Sequence, residues 1–204
     1  LTISLFYFTT TLLYTFSIAM HSFTELVDSC AAFTLKNLKE ANEKTIEALQ
    51  VSGATSLVKT LQMIQLQKAI LAVGMFSIFE ANLQDYLDCS LGFVEAKKIL
   101  SDEGELGTKD KFEDLCLAIN VLKHGRGRSY DTLVAKATTL PFTIKLPDES
   151  LLSEGDVSAI STLIKVDDAF VQHCGDVISE VFKVILRVRP LGSVRIGEIG
   201  SAGN

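Results

Sequence analysis

The sequence predicts an all-α protein: an antiparallel four-helix bundle with short extra helices and an extended insertion between the third and fourth long helices. Three observations predict it. Apolar residues recur near a 3.6-residue period over four long stretches. The first 140 residues contain no proline, the residue most damaging to helix interiors; Pro141, Pro147 and Pro190 are the only three. The one stretch with strand-like alternation, Leu140 to Pro147, has proline at both ends of PFTIKLP, which suits an extended connection rather than a core strand.

The first helix is expected from Phe23, with Leu26, Val27, Cys30, Phe33, Leu38 and Leu49 on its apolar side, to about Gln50, closed by Val51, Ser52 and Gly53. A second runs from about Thr55 to Ser90. It is apolar over much of its circumference near Ala69 to Phe79, as for an element buried by several neighbours. Gly92 marks a break, and Phe93 to Leu100 a short continuation. Ser101 to Gly107 reads as a loop, with Thr108 as N-cap of a third helix that carries Phe112, Leu115, Cys116, Ile119 and Leu122 and ends at Gly125 in a left-handed cap. Ser129 is expected to cap a short helix through Tyr130 to Lys136. Asp156 to Val166 is expected to form a short helix or turn, after which Asp167 caps a fourth long helix stopped by Pro190.

The organisation that follows is an uncharged extension or membrane anchor over residues 1–22, a helical bundle over 23–189 and a flexible tail over 190–204. Residues 1–24 carry no charge apart from a proton on His21, and are about long enough to cross a bilayer. No basic flank precedes them, the first cation being Lys36, and seven of the first twenty residues are Ser or Thr. An upstream translation artefact, a fragment of a longer chain and a genuine anchor are the three readings of this stretch. The expected location is cytoplasmic, with membrane anchoring as the alternative.

A chain of 204 residues with 48% hydrophobic and 22% charged side chains has ample material for one core, which excludes global disorder. Nineteen basic against 25 acidic residues give a net charge of −6, so any contact with nucleic acid must be local. Cys30, Cys89, Cys116 and Cys174 form no CxxC pair; each is expected in a different helix, as a small apolar side chain in a reducing compartment. The P-loop, GxGxxG, HExxH and GxSxG patterns do not occur, and no metal or cofactor is expected.

The chemistry concentrates in Ile119 to Tyr130, INVLKHGRGRSY. Lys123, Arg126 and Arg128 surround His124, and Asn120 lies four residues before it on the same helix face. Glycines let backbone approach a ligand, arginines grip phosphate in a bidentate fork, and an imidazole moves protons near neutrality. This is the pattern of a phosphodiester site, with Tyr130 either stacking on a base or anchoring the short helix. Glu80 and Asp85 on the second helix could orient His124 or the arginines. The plainer reading of His124 is a helix-terminal residue interacting with the C-terminal dipole.

The helix order, FSIFEANLQDYL on the second helix and INVLKHGRGRSYDTL at the end of the third resemble HEPN domains, the higher-eukaryote and prokaryote nucleotide-binding superfamily, over about Phe23 to Val188. The resemblance implies a dimer, often a toxin or defence effector. Many members are metal-independent endoribonucleases with an arginine, a polar residue and, a few positions later, a histidine. His124 matches the histidine and Asn120 the polar residue, but the arginine falls at Ile119. What the resemblance implies is therefore RNA or nucleotide binding, with cleavage open: His124 as general base or acid for attack of a 2′-hydroxyl, and the cations neutralising phosphoryl oxygens. A catalytically inert module that pairs with a partner protein is the rival, favoured by the missing arginine.

Overall fold

A computed structural model describes residues 2–149, 158 and 160–190, and over 2–22 the backbone alone. The elements among the described residues are all helices: α1 (Thr2–Val51), α2 (Thr55–Leu87), α3 (Gly92–Asp102), α4 (Leu106–His124), α5 (Arg128–Ala135) and α6 (Asp168–Val188). The uncharged segment runs into α1 without a break, so composition rather than a helix end marks the boundary after residue 22. The tail 191–204 and residues 150–157 of the insertion lie outside the described residues.

The core is built on α2, which touches α1, α3, α4 and α6. Its Phe76 and Phe79 meet Phe93 of α3 and Phe112 of α4, with ring centroids 5.1 to 6.2 Å apart across the group. Such pairs contribute about 0.5–1.5 kcal/mol each beyond the area they bury. The close approach of α3 depends on Gly92: a Cβ there would stand 2.8 Å from the Glu80 carbonyl oxygen and 2.9 Å from Leu83 Cβ.

Against this group α1 lays Val27, Ala31, Leu35 and Leu38, with Phe23 stacked on Phe79 at 6.3 Å. Leu26 and Phe33, expected on the apolar side, are exposed, Phe33 by 71%. The buried line passes through Ala31 and Leu35, and Phe33, two residues from each, points about half a turn away. α2 is packed by several neighbours as expected, yet one side of it stays open. Met63, Leu66, Ile70 and Ile78 are exposed on its outer side. Among the described residues α2 is the one helix long and apolar enough to cross a membrane, by length and composition alone, and a third of its most apolar window is buried inside the protein.

Ion pairs fix the helix directions. Lys68 of α2 meets Asp168 at the start of α6 at 2.7 Å, and the Tyr86 hydroxyl near the end of α2 donates to the Arg189 carbonyl just beyond α6. The two helices therefore run the same way. α4 runs opposite to α6, since Lys111 pairs with Glu180 at 3.1 Å while Arg187 reaches back to Glu105, before α4, at 2.9 Å. α1 and α4 make no contact among the described residues.

Asp167 caps α6 as expected, its Oδ1 accepting from the Phe170 amide at 3.0 Å. The other expected caps do not form: α4 begins at Leu106, ahead of Thr108, and α5 at Arg128, with Gly127 rather than Ser129 in the cap position. Residues 160–166 are not helical. Instead Ile144 and Ile164, both buried, form a single antiparallel bridge, with the Lys145 amide donating to the Leu163 carbonyl at 2.8 Å and the Lys165 amide to that of Thr143 at 2.9 Å. Among the cysteines, burial pushes the Cys116 thiol up to about 12 and that of Cys174 up as well; Cys89 lies in the α2–α3 turn and Cys30 is exposed, against the expectation of helical, apolar sites for all four.

Two outcomes follow from this packing. Gly92→Ala forces atoms into the backbone of α2 and lowers unfolding free energy by about 2 kcal/mol or more in a denaturant titration. His173 on α6 has a buried Nε2 without a hydrogen-bond partner among the described residues, and burial holds its pKa below the usual imidazole value against the pull of Asp176. The unfolded chain then binds more protons just below about pH 6.5, so stability falls as pH drops through that window. His173→Leu flattens the fall, read from unfolding midpoints between about pH 7 and about pH 5.

Candidate nucleic-acid interface

The site sits where α4 ends. Ile119 and Val121 keep the last turns of α4 on the core, and Leu133 anchors α5, leaving residues 122–129 as an outward corner. Gly125 turns the chain with φ 75° and ψ −141°, a positive-φ conformation that is not the left-handed helical cap expected, while its amide still donates to the Val121 carbonyl at 2.8 Å. A side chain at this φ would be strained, which is the reason for glycine.

Asn120, Lys123, His124, Arg126 and Arg128 are all exposed. Among the described residues, Lys123, His124, Arg126 and Arg128 take part in no ion pair. The partly negative end of α4 and the partly positive end of α5 both border this corner. Its side-chain charges are the cations Lys123, Arg126 and Arg128, with Asp131 in the first turn of α5.

Tyr130 is not part of that exposed set. It is 3% accessible, its hydroxyl donates to the Lys145 carbonyl at 2.7 Å, and the Arg126 guanidinium lies 5.6 Å from its ring centroid. Of the two expected roles it fills the anchor, since a ring so enclosed has no free face for a base. It also ties the corner to the extended connection, a link between α5 and residue 145 that no sequence pattern announced.

The supporting carboxylates are elsewhere. Asp85 lies beside Tyr86, at the end of α2 that meets Arg189, whereas α4 enters at that end through Glu105 and places His124 about 27 Å further along its axis. Glu80 faces the middle of α4, where its charge opposes that of Lys97 at Cys116. Neither forms a hydrogen bond or ion pair with His124. Ile119, at the position where the HEPN resemblance would put an arginine, is 4% accessible and belongs to the core. No cluster of three or more metal-ligating side chains occurs among the described residues.

No protein-family model matches the chain, and no curated protein and no solved structure matches it either.

Replacing Tyr130 by Phe removes one hydrogen bond and costs about 1 kcal/mol of stability, whereas Tyr130→Ala empties a core position and costs about 3–5 kcal/mol, both measured by chemical denaturation.

Proposed function

We propose that the chain is a HEPN-like four-helix bundle, formed by α1, α2, α4 and α6, that binds single-stranded RNA through the corner between α4 and α5. One observation carries the reading. Of the four arginines among the described residues, Arg187 and Arg189 are engaged by Glu103, Glu105 and Glu95, while Arg126 and Arg128 have no carboxylate partner and stand exposed beside Lys123 and His124. In a chain of net charge −6, unneutralised cations gathered in one corner suit an anionic strand, whose phosphates take the bidentate fork of arginine.

The reading is binding rather than cleavage. A 2′-hydroxyl attack needs a cation beside the histidine at the phosphorus, and the position that supplies it in the family is filled by the buried Ile119. His124 also lacks a carboxylate to orient its ring. Buried Ile119 supports a second reading as well, an inert protein-interaction module that takes no RNA at all.

The test is a titration of labelled single-stranded RNA in EDTA. With three phosphate contacts, log K falls against log salt with a slope of about −2. Removing both guanidinium groups in Arg126→Ala/Arg128→Ala brings the slope to about −0.7 and weakens binding by about tenfold or more at low salt. The RNA remains intact. Loss of RNA length that His124→Ala abolishes would establish a nuclease instead, and absence of binding at about 50 mM salt leaves the inert module.

A further inference from the structure

The outer side of α2 carries an ordered pattern that the fold leaves uncovered. Lys59, Met63, Leu66, Ile70, Gly74, Ile78, Ala81 and Asp85 follow one another at spacings of three or four residues, which places them along one face of the helix. Four of these are exposed large apolar side chains, Ile70 by 62% and Ile78 by 57%. Lys59 and Asp85, at the two ends, are exposed and have no ion pair among the described residues. Gly74 is a hollow in the middle: a Cβ added there would meet nothing within 4 Å.

The pattern is complementary to its own reverse. When two copies of α2 lie antiparallel about a two-fold axis level with Ala72, Lys59 comes opposite Asp85, Met63 opposite Ala81, Leu66 opposite Ile78 and Ile70 opposite Gly74. Gln67 comes opposite Ser77, both exposed and polar. Charge meets opposite charge, apolar meets apolar or open space, and polar meets polar, with Met63 on Ala81 and Ile70 on Gly74 setting large against small, and each match occurs twice by symmetry. The parallel arrangement has none of this, since it sets Lys59 on Lys59 and Asp85 on Asp85.

We infer that the outer face of α2 is a homodimer interface in which two copies pack antiparallel, the β-branched Ile70 of each seated over Gly74 of the other. The occupant is a second copy because the same sequence reversed matches both end charges and the apolar levels between them at once. This accounts for a helix apolar on both sides, one side serving the core and the other the partner. The inference does not rest on RNA binding.

Sedimentation equilibrium of the full chain tests the interface, and cysteine pairing tests its register. The unaltered protein sediments as a dimer, and Ile70→Glu, at an exposed position that leaves the helical circular dichroism unchanged, raises the dissociation constant at least tenfold. Lys59→Glu and Asp85→Lys each weaken the dimer several-fold, and the combined exchange restores it to within about threefold. In a Cys30→Ser background, Leu66→Cys and Ile78→Cys together give a disulfide-linked dimer on mild oxidation. Either alone does not, because equivalent positions are about 18 Å apart across the two-fold axis. A monomer at all concentrations, a dimer indifferent to Ile70→Glu, or linkage by a single cysteine as efficient as by the pair overturns the inference. So does a monomer that binds phosphatidylcholine–phosphatidylglycerol vesicles through Ile70, which makes a lipid surface the occupant.

Discussion

The four phenylalanine rings of Phe76, Phe79, Phe93 and Phe112 hold α2, α3 and α4 in one register, and most other features depend on that contact. α3 comes within reach only because Gly92 has no side chain where it crosses the backbone of α2. With α3 so close, Phe112 starts α4 against the middle of α2, and the stripe Leu115, Ala118 and Ile119 carries it along the core toward the Lys68–Asp168 pair. The cationic corner is thus positioned from behind by buried apolar residues. Ile119 holds one side and Tyr130 the other, and the charges between them need no polar scaffold to stay in place.

The helices were legible where local chemistry fixes them alone. Asp167 followed by a regular apolar face, Gly92 after the end of α2, and Gly125 after His124 each state a boundary in the residues themselves. Thr108 and Ser129 resembled caps because hydroxyls favour that position, yet tertiary packing began both helices earlier, at Leu106 and Arg128. The faces were less legible than the spans. Phe33 fits a helical period as well as Leu35 does, and only the neighbouring helices decide that one is covered and the other is not. For the corner, sequence proximity gave Lys123, His124, Arg126 and Arg128 together, but it could not place Glu80 and Asp85, whose distance from His124 depends on the direction of α4. Nor could it distinguish a buried Tyr130 from an exposed one, since the partner that encloses its hydroxyl lies at residue 145.

Charge is distributed unevenly between the two ends of the helical core. At the end of α6, Arg187 and Arg189 are tied to Glu103, Glu105 and Glu95, so that α3, α4 and α6 are clasped and both guanidinium groups are engaged. At the other end Lys68 and Asp168 neutralise each other, and the cations of the corner stand alone. An anionic ligand approaching this acidic chain meets a favourable potential over a small area only, and that restriction orients the encounter.

The bridge between Ile144 and Ile164 acts as a knot at the base of a long excursion of the chain. Both isoleucines are buried and two backbone hydrogen bonds fasten them, so the helices on either side are joined through this point whatever lies between. Closing such a loop depends only weakly on its length, about 0.6 kcal/mol for each doubling. Sequence added between the two ends of this bridge accordingly costs little in closure entropy, so long as Lys145 and Leu163, whose backbone groups fasten it, keep their places.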